Sequence, residues 1–298
     1  MKLFSENVSW HKANLHTHTT ESDGKRTPEE AIGLYKAAGY DILALTDHRK
    51  SGFGYEHDDF IVLRSIECNV SPYLSEGNEE TFHILGLNVP EGFIQTEEVG
   101  GTDPNTVAKR IKDCGGFTVL AHPAWSLNTA DHILNLKGID AVEIFNTVSG
   151  FPYNPDRQDS SAILDTVFNY GTFWPLFASD DTHKYGAELC YAATMIQTDD
   201  FTAKGVLDAV KNGKSYATTG PRFIQVEIEN GKIHVECSPC RGAVMITNHP
   251  WIKDACQPAF GDLQTQFDFE FCENTRFVRI MLIDDNGRKA WTNPVKLL

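Results

Sequence analysis

The sequence predicts an α/β fold: a barrel-like β/α region over residues 1–221, then a small antiparallel sheet or sandwich over residues 222–298. Three observations predict it. From residue 13 to about 213, apolar runs of strand length alternate with amphipathic stretches of helical length. Run after run in that region stops on a histidine or a carboxylate, and closed β/α barrels gather their functional groups at the carboxyl ends of the strands. Beyond Tyr216-Ala217-Thr218-Thr219-Gly220-Pro221 the helical period disappears. Alternating runs are then joined by Asn230-Gly231, a strong hairpin signal, and by Asp285-Asn286-Gly287.

Taken in order, strands are expected near 12–18, 41–47, 60–67, 81–88, 117–121, 140–145 and 174–179, seven in all. Thr27-Pro28-Glu29-Glu30 supplies an N-cap, a proline at the first helical position and a capping-box glutamate. Ala31, Leu34, Tyr35 and Ala38 continue that helix at helical spacing, and Gly39 closes it. Further helices are expected near 103–114, 129–137, 159–170 and 202–212. The segment from Asn69 to Glu80, with Pro72 and Gly77, is too short for a helical crossover and reads as a hairpin-like loop. In the tail, strands are expected at Phe223–Glu229, Lys232–Cys237, Ala243–Thr247, Gln266–Phe271, Arg276–Ile283 and Lys289–Trp291.

Composition narrows the function. In 298 residues, 41% are hydrophobic, enough for a real core. Against 41 acidic residues stand 26 basic ones, and the net charge of −15 disfavours nucleic acid and anionic membranes as partners. No stretch approaches the roughly 20 apolar residues needed to span a bilayer, and Met-Lys-Leu-Phe-Ser-Glu-Asn lacks a signal-peptide core, so a cytoplasmic protein is expected. The seven cysteines are read as reduced thiols, and Cys237-Ser-Pro-Cys240 as a turn between strands.

The residues at the strand ends carry the chemistry. His16 and His18, two apart on a strand, leave one face and can chelate one ion together. Asp23 lies on the loop that follows. Asp47-His48 ends an apolar strand, where charge is costly unless satisfied. Glu67 ends another, and its two oxygens can bridge two cations. His83 lies inside its strand, and in isolation reads as a core histidine. His122-Pro123 closes the run from Phe117, and Asp181-x-His183 repeats the two-apart spacing of His16 and His18. Together they predict a polynuclear metal site.

The ordered set Asn14-Leu-His-Thr-His-Thr-Thr-Glu-Ser-Asp-Gly, Ala44-Leu-Thr-Asp-His, Ile66-Glu67, Phe82-His83-Ile-Leu-Gly-Leu, Ala121-His122-Pro and Asp181-Thr-His183 resembles the PHP superfamily, named for polymerase and histidinol phosphatase. The resemblance covers roughly residues 12 to 220. It implies a distorted (β/α)7 barrel holding up to three divalent ions of zinc, manganese or iron. It also implies hydrolysis of phosphate esters. His16, His18, Glu67 and Asp181 would surround the first metal. Glu67 would bridge to a second held by His83 and His122, and Asp23, His48 and His183 would hold a third. The serine before Asp180 is similar to a Ser-Asp-x-His form found in relatives, so Asp180 stays open beside Asp181, which the two-residue period favours. The tail from Tyr216 to Pro221 and the stretch Ala290–Pro294 resemble a subgroup with a small C-terminal β-domain.

Three divalent ions would bring about +6 against about −3 from Asp23, Glu67 and Asp181, so the pocket would be locally cationic and suited to phosphate. A hydroxide shared between two of the ions is the expected nucleophile. Glu67, His48 and Asp181 are therefore the residues expected closest to the reaction, with His48 or Asp47 the candidate rim acids and that role left open. Arg157, then Arg26, Arg49 and Lys184, are the candidate phosphate binders, arginine's fork matching phosphate best. Glu143 and Asn146, at the end of the sixth strand, are expected to line the pocket. The expected substrate is a small phosphorylated metabolite. The alternatives are a nucleotide or nucleic-acid phosphodiesterase, and a metal-stabilised binding module without activity. His234 and His249 are expected to take no part, the tail instead covering the barrel or supporting a homo-oligomer contact.

Overall fold

The computed structural model describes residues 1–5, 7–75, 78–95 and 103–298. Its elements in chain order are β1 (Trp10–Asn14), α1 (Pro28–Ala37), β2 (Ile42–Leu45), β3 (Tyr55–His57), β4 (Phe60–Ser75), β5 (Asn78–Leu87), α2 (Pro104–Asp113) and β6 (Phe117–Leu120). There follow α3 (Ala130–Leu134), β7 (Ala141–Asn146), α4 (Ser161–Asn169), β8 (Leu176–Ser179), β9 (Ala193–Gln197), α5 (Ala203–Lys211) and β10 (Ser215–Thr218). The tail adds β11 (Phe223–Glu229), β12 (Lys232–Cys240), β13 (Gly242–Thr247), β14 (Cys256–Pro258), β15 (Gln264–Glu270), β16 (Phe277–Ile283), β17 (Lys289–Thr292) and β18 (Val295–Lys296).

Local chemistry sets the helix starts. Thr27 caps α1 in a reciprocal capping box with Glu30, and Pro28 occupies the first turn. Asp103 caps α2 by accepting from the amides of Asn105 and Thr106. The short strands β2, β6 and β8 are buried on both faces, the pattern of a sheet covered on both sides. One core cluster includes Ala13, Ile42, Ala44, Ile61, Leu63, Leu85, Val119 and Phe177 from six strands, and a second packs α2, α3 and α4 against the sheet.

The strands form one 15-stranded mixed sheet, in the order β14-β13-β16-β17-β10-β9-β1-β2-β4-β5-β6-β7-β8 with β3 and β18 attached at the side, and a separate sheet β11-β12-β15. The expected closed (β/α)7 ladder is not formed. Its parallel pairs β1-β2, β2-β4, β6-β7 and β7-β8 are present, but β4-β5 and β5-β6 are antiparallel because a hairpin replaces the helical crossover. That hairpin is built from strands longer than expected, and Gly77 lies outside the described residues. Among the described residues no ladder joins β8 to β1. Just past both strands, an isolated parallel bridge links Thr17 and Thr182, with Asp181 N donating to His16 O at 3.0 Å and His18 N to Thr182 O at 3.1 Å.

Several other expectations change. Strands β3, β9, β10, β14 and β18 were not anticipated. Tyr216-Ala217-Thr218, read as the start of a turn, is strand, because β10 pairs with both β9 and β17. The tail therefore continues the main sheet instead of forming only a sheet of its own. Cys237-Ser-Pro-Cys240 is not a turn between strands: it lies within β12, at a register shift opposite β15, with both cysteines buried.

Candidate metal centre

Six histidines and three carboxylates from distant parts of the chain meet on segments that follow β1, β2, β6 and β8, with Glu67 and His83 standing inside β4 and β5 instead of at strand ends. The Thr17–Thr182 bridge sets the His16-x-His18 segment beside Asp181-x-His183, while His48 bridges in parallel to Glu67. His16 Nε2 lies 3.2 Å from Asp181 Oδ1 and 3.4 Å from Glu67 Oε1; His18 Nε2 lies 3.1 Å from Asp181 Oδ1 and 3.0 Å from Glu67 Oε2. His122 Nε2 approaches Glu67 Oε1 at 3.3 Å and His83 Nδ1 approaches it at 2.7 Å. Toward solvent, Asp23 Oδ2 faces His183 Nε2 at 3.4 Å and His48 Nε2 at 3.7 Å. Gly24 lets that loop pack down, since a Cβ there would sit 2.3 Å from the His18 carbonyl oxygen.

Several ring nitrogens are tied by neighbours. His16 Nδ1 meets Glu143 Oε1 at 3.0 Å and His122 Nδ1 meets Ser126 Oγ at 3.0 Å, while His48 Nδ1 lies between Asn69 Oδ1 at 3.0 Å and Glu67 Oε2 at 3.1 Å. His183 Nδ1 meets the Asp181 carbonyl oxygen at 2.7 Å. Such partners fix which nitrogen is left to bind an ion. His122 and Asp181 also adopt left-handed backbone angles, φ 29° and 54°, a conformation that concentrates at functional sites.

Electrostatics follow from burial and charge. Burial disfavours charge on every one of these groups, yet the surrounding carboxylates raise His16 well above the usual histidine range and His18 to about 10. Glu67 and Asp181, also pushed up by burial, are held well below the carboxylate range by the histidines. Carboxylates that favour positive charge on buried imidazoles create a field that suits a bound cation. Donor chemistry and one buried oxygen fit a divalent ion. Three groups converge with ligand atoms within 4.8 Å of one another: His18, Asp23, His48 and His183; His16, Glu67 and His122; His16, His18 and Asp181. Asp181 Oδ1, fully buried, makes no well-oriented hydrogen bond although His16 Nε2 and His18 Nε2 stand 3.2 Å and 3.1 Å away. Mixed nitrogen and oxygen donors suit zinc, manganese or iron.

All nine expected metal residues lie in this one region, although His83 belongs to none of the three groups: its Nε2 faces Asn69 Nδ2 at 3.0 Å. Asp180 and Asp181 separate clearly. Asp180 turns away from the cluster and accepts from Tyr35 Oη, Thr147 Oγ1 and the amides of Cys190, Tyr191 and Ala192, and burial pushes it up to about 7. Asp47 is engaged as well, accepting from the Thr19 amide and hydroxyl and from Ser22 Oγ, so it holds the loop after His18 instead of facing the opening. Glu143 and Asn146 do not line the cleft; they stand buried behind the cluster.

The cleft above the cluster has a volume of about 350 Å³ and is lined by Asp23, His48, Glu67, His83, His122, Asp181 and His183, with Trp125, Tyr153, Asn154 and Lys184 on its walls. Lys184 is the one candidate phosphate binder among these; Arg157, Arg49 and Arg26 are exposed elsewhere. A larger groove of about 1190 Å³ lies over the β11-β12-β15 sheet, and none of the clustered residues lines it. Sequence reasoning missed Asn69 and Trp125. Asn69 stands two residues after Glu67, so the period of 2 in a strand could have found it; Trp125 follows His122 and meets its ring edge-on at 4.9 Å.

No protein-family profile matches the chain. An uncharacterized protein of Methanocaldococcus jannaschii, MJ1587, is 27% identical over 148 residues, which is 45% of this chain and 81% of that protein. Among solved structures, a Bacteroides vulgatus protein, described as a two-domain protein containing a predicted PHP-like metal-dependent phosphoesterase, aligns with a TM-score of 0.52 at 11% identity, over 97% of this chain and 96% of its own. A looser likeness, TM-score 0.41 at 17% identity, covers 59% of this chain and 89% of an amidohydrolase from Chromobacterium violaceum. At these identities the likeness is one of fold: the chain shares its overall fold with that two-domain, PHP-like protein.

Proposed function

We propose that this chain is a metal-dependent phosphoesterase that hydrolyses a phosphate ester of a small phosphorylated metabolite. The observation that carries the reading is the convergence of imidazole nitrogens and carboxylate oxygens, the buried Asp181 Oδ1 among them, on the floor of an open cleft. His16, His18, Glu67 and Asp181 would hold one ion, Glu67, His122 and His83 a second, and Asp23, His48 and His183 a third. Bound divalent ions supply Lewis acidity, activated water near neutral pH and positive charge for phosphoryl oxygens.

The chain's own residues do the rest. Glu67, with both oxygens inside the cluster, holds neighbouring donors at a fixed separation. Lys184, exposed on the wall, offers a point charge to a phosphate oxygen. Trp125 and Tyr153 give the cleft an apolar side and bound the size of what enters. With a net charge of −15, attraction for phosphate is confined to this locally cationic site, which favours a small substrate over nucleic acid. Among the described residues no helix is long and apolar enough to cross a membrane, and a cytoplasmic setting belongs to the reading. Residues 222–298 are read as a unit that supplies no ligand and covers part of the barrel-like region.

The test is a turnover screen of protein reconstituted separately with manganese, iron and zinc over phosphomonoesters, cyclic phosphates and dinucleotides. Release of phosphate from at least one small ester, lost on chelation, is expected. Tight metal binding with no turnover on any ester would overturn the reading in favour of a binding module.

A further inference from the structure

We infer that Glu143 is a positioning residue for the metal centre: its single carboxylate sets the tautomer of His16 and, together with Asn146, the placement of His122 and Asp181. The inference rests on the metal-centre part of the proposed function. Glu143 is fully buried in β7 and does not line the cleft, so it has no access to a substrate. Its Oε1 lies 3.0 Å from His16 Nδ1. An ionised carboxylate only accepts, so that nitrogen carries the hydrogen and His16 Nε2 is left as the lone-pair donor, aimed at Asp181 and Glu67.

The second oxygen reaches two other donor residues. Glu143 Oε2 accepts from the His122 amide at 2.9 Å and from Asn146 Nδ2 at 3.0 Å. Asn146 Nδ2 also donates to Asp181 Oδ2 at 3.1 Å. The orientation of the Asn146 amide is set independently, because its Oδ1 accepts from the Ser149 amide at 3.2 Å and hydroxyl at 2.8 Å. Asp181 and His122 are the two donor residues with left-handed backbones, and each is anchored through this pair. One carboxylate on β7 thus sets three donors that follow three other strands, β1, β6 and β8.

Glu143→Gln makes a sharp test because its amide cannot satisfy both sides. The His122 and Asn146 N–H groups demand its oxygen, which turns its NH₂ toward His16 Nδ1 and leaves the hydrogen on Nε2. Zinc-loaded protein labelled with ¹⁵N-histidine is compared with Glu143→Gln and Asn146→Ala by two-bond ¹H–¹⁵N correlation, and zinc affinity is measured against a chromophoric chelator. In the wild type, His16 is expected to bind through Nε2 with hydrogen on Nδ1; the opposite arrangement, which needs no variant to observe, would overturn the inference. Glu143→Gln is expected to lose about 10–100-fold in zinc affinity with His16 no longer bound through Nε2. Asn146→Ala is expected to lose affinity with the His16 tautomer unchanged. Affinity within twofold of wild type in a folded Glu143→Gln protein would also overturn it. Zinc binding without turnover would defeat the phosphoesterase reading alone, whereas turnover with an unaltered Glu143→Gln affinity would defeat this inference alone.

Discussion

The floor and the rim of the cleft use the same residue types in different surroundings. On the floor, the side chains of His16, His18, Glu67 and Asp181 are between 0% and 6% exposed, and strand backbone or a buried partner stands behind each. At the rim, the Asp23 side chain is 53% exposed, His48 23% and His183 19%, and Asp23 rides on a loop. A floor donor is desolvated and has no alternative partner, so its loss leaves buried charge unpaired; a rim donor can be replaced by water. The difference teaches that ions held at the floor should be tight and that any ion at the rim should exchange easily.

The largest expected effect would break the comparison outright if it failed. Glu67→Ala, His122→Ala and Asp181→Asn should each lower kcat/KM by more than the roughly hundredfold typical of residues that act only through a ligand. Asp23→Ala should stay within that range. Equal losses at floor and rim, measured on manganese-loaded protein, would show that the two regions act as one unit.

Asp180→Asn sharpens the contrast from the other side of the floor. Asp180 accepts three backbone amides from residues 190–192 as well as two hydroxyls, so its effect should appear in stability, about 1–3 kcal/mol in chemical denaturation, with less loss of activity than Asp181→Asn. The reverse order of activity losses would move the metal ligand by one residue.

Protons distinguish the regions next. His18 is raised from 6.5 to about 10, so in metal-free protein its contribution to stability is fully present below pH 6.5 and is lost as pH rises through about 10. Metal-free protein should therefore show a falling Tm over that interval from this group, and metal loading should remove the fall by displacing the proton. His48 is pushed below the ordinary histidine value by burial, so above pH 6.5 it is already neutral and its binding of an ion should be insensitive to pH. Calorimetric titration in buffers of different ionisation enthalpy should find proton release on filling the floor. No such release with the first ion bound would contradict the assignment.

The smallest effect is at the outer wall. Lys184→Ala should raise KM by at most about fivefold, about 1 kcal/mol for an exposed charge, and leave kcat and metal content unchanged.

The chain's periodicities showed the alternation of strand and helix and the change of pattern near residue 221, because both are local properties of side-chain spacing and turn residues. Most of the candidate ligands stood out because histidines and carboxylates that close apolar runs are rare, whereas Asp23, on a loop, and His83, inside its strand, entered the set through the resemblance of the ordered motifs. The openness of the sheet was not legible. Whether β8 meets β1 in a ladder or through one bridge at Thr17 and Thr182 depends on twist and on the antiparallel insertion of β5, which no local pattern encodes. The attachment of the tail was hidden for a similar reason: β10 runs into a Thr-Thr-Gly-Pro signal that reads as a turn, yet it pairs with β9 across α5 and with β17, which lies far away in sequence.

From the sequence alone came the candidate ligands and the approximate ends of β1, β2, β6 and β8, while β4 runs on to Ser75, well past the expected end at Glu67. Only the tertiary structure decided that Asp181 and not Asp180 faces the histidines, that Asp47 is spent on the Thr19 loop, and that Glu143 stands behind His16. Neighbouring carboxylates have the same composition and nearly the same local context. What separates them is the direction in which a backbone with a positive φ at Asp181 turns each side chain, and the donors that distant segments bring to meet it.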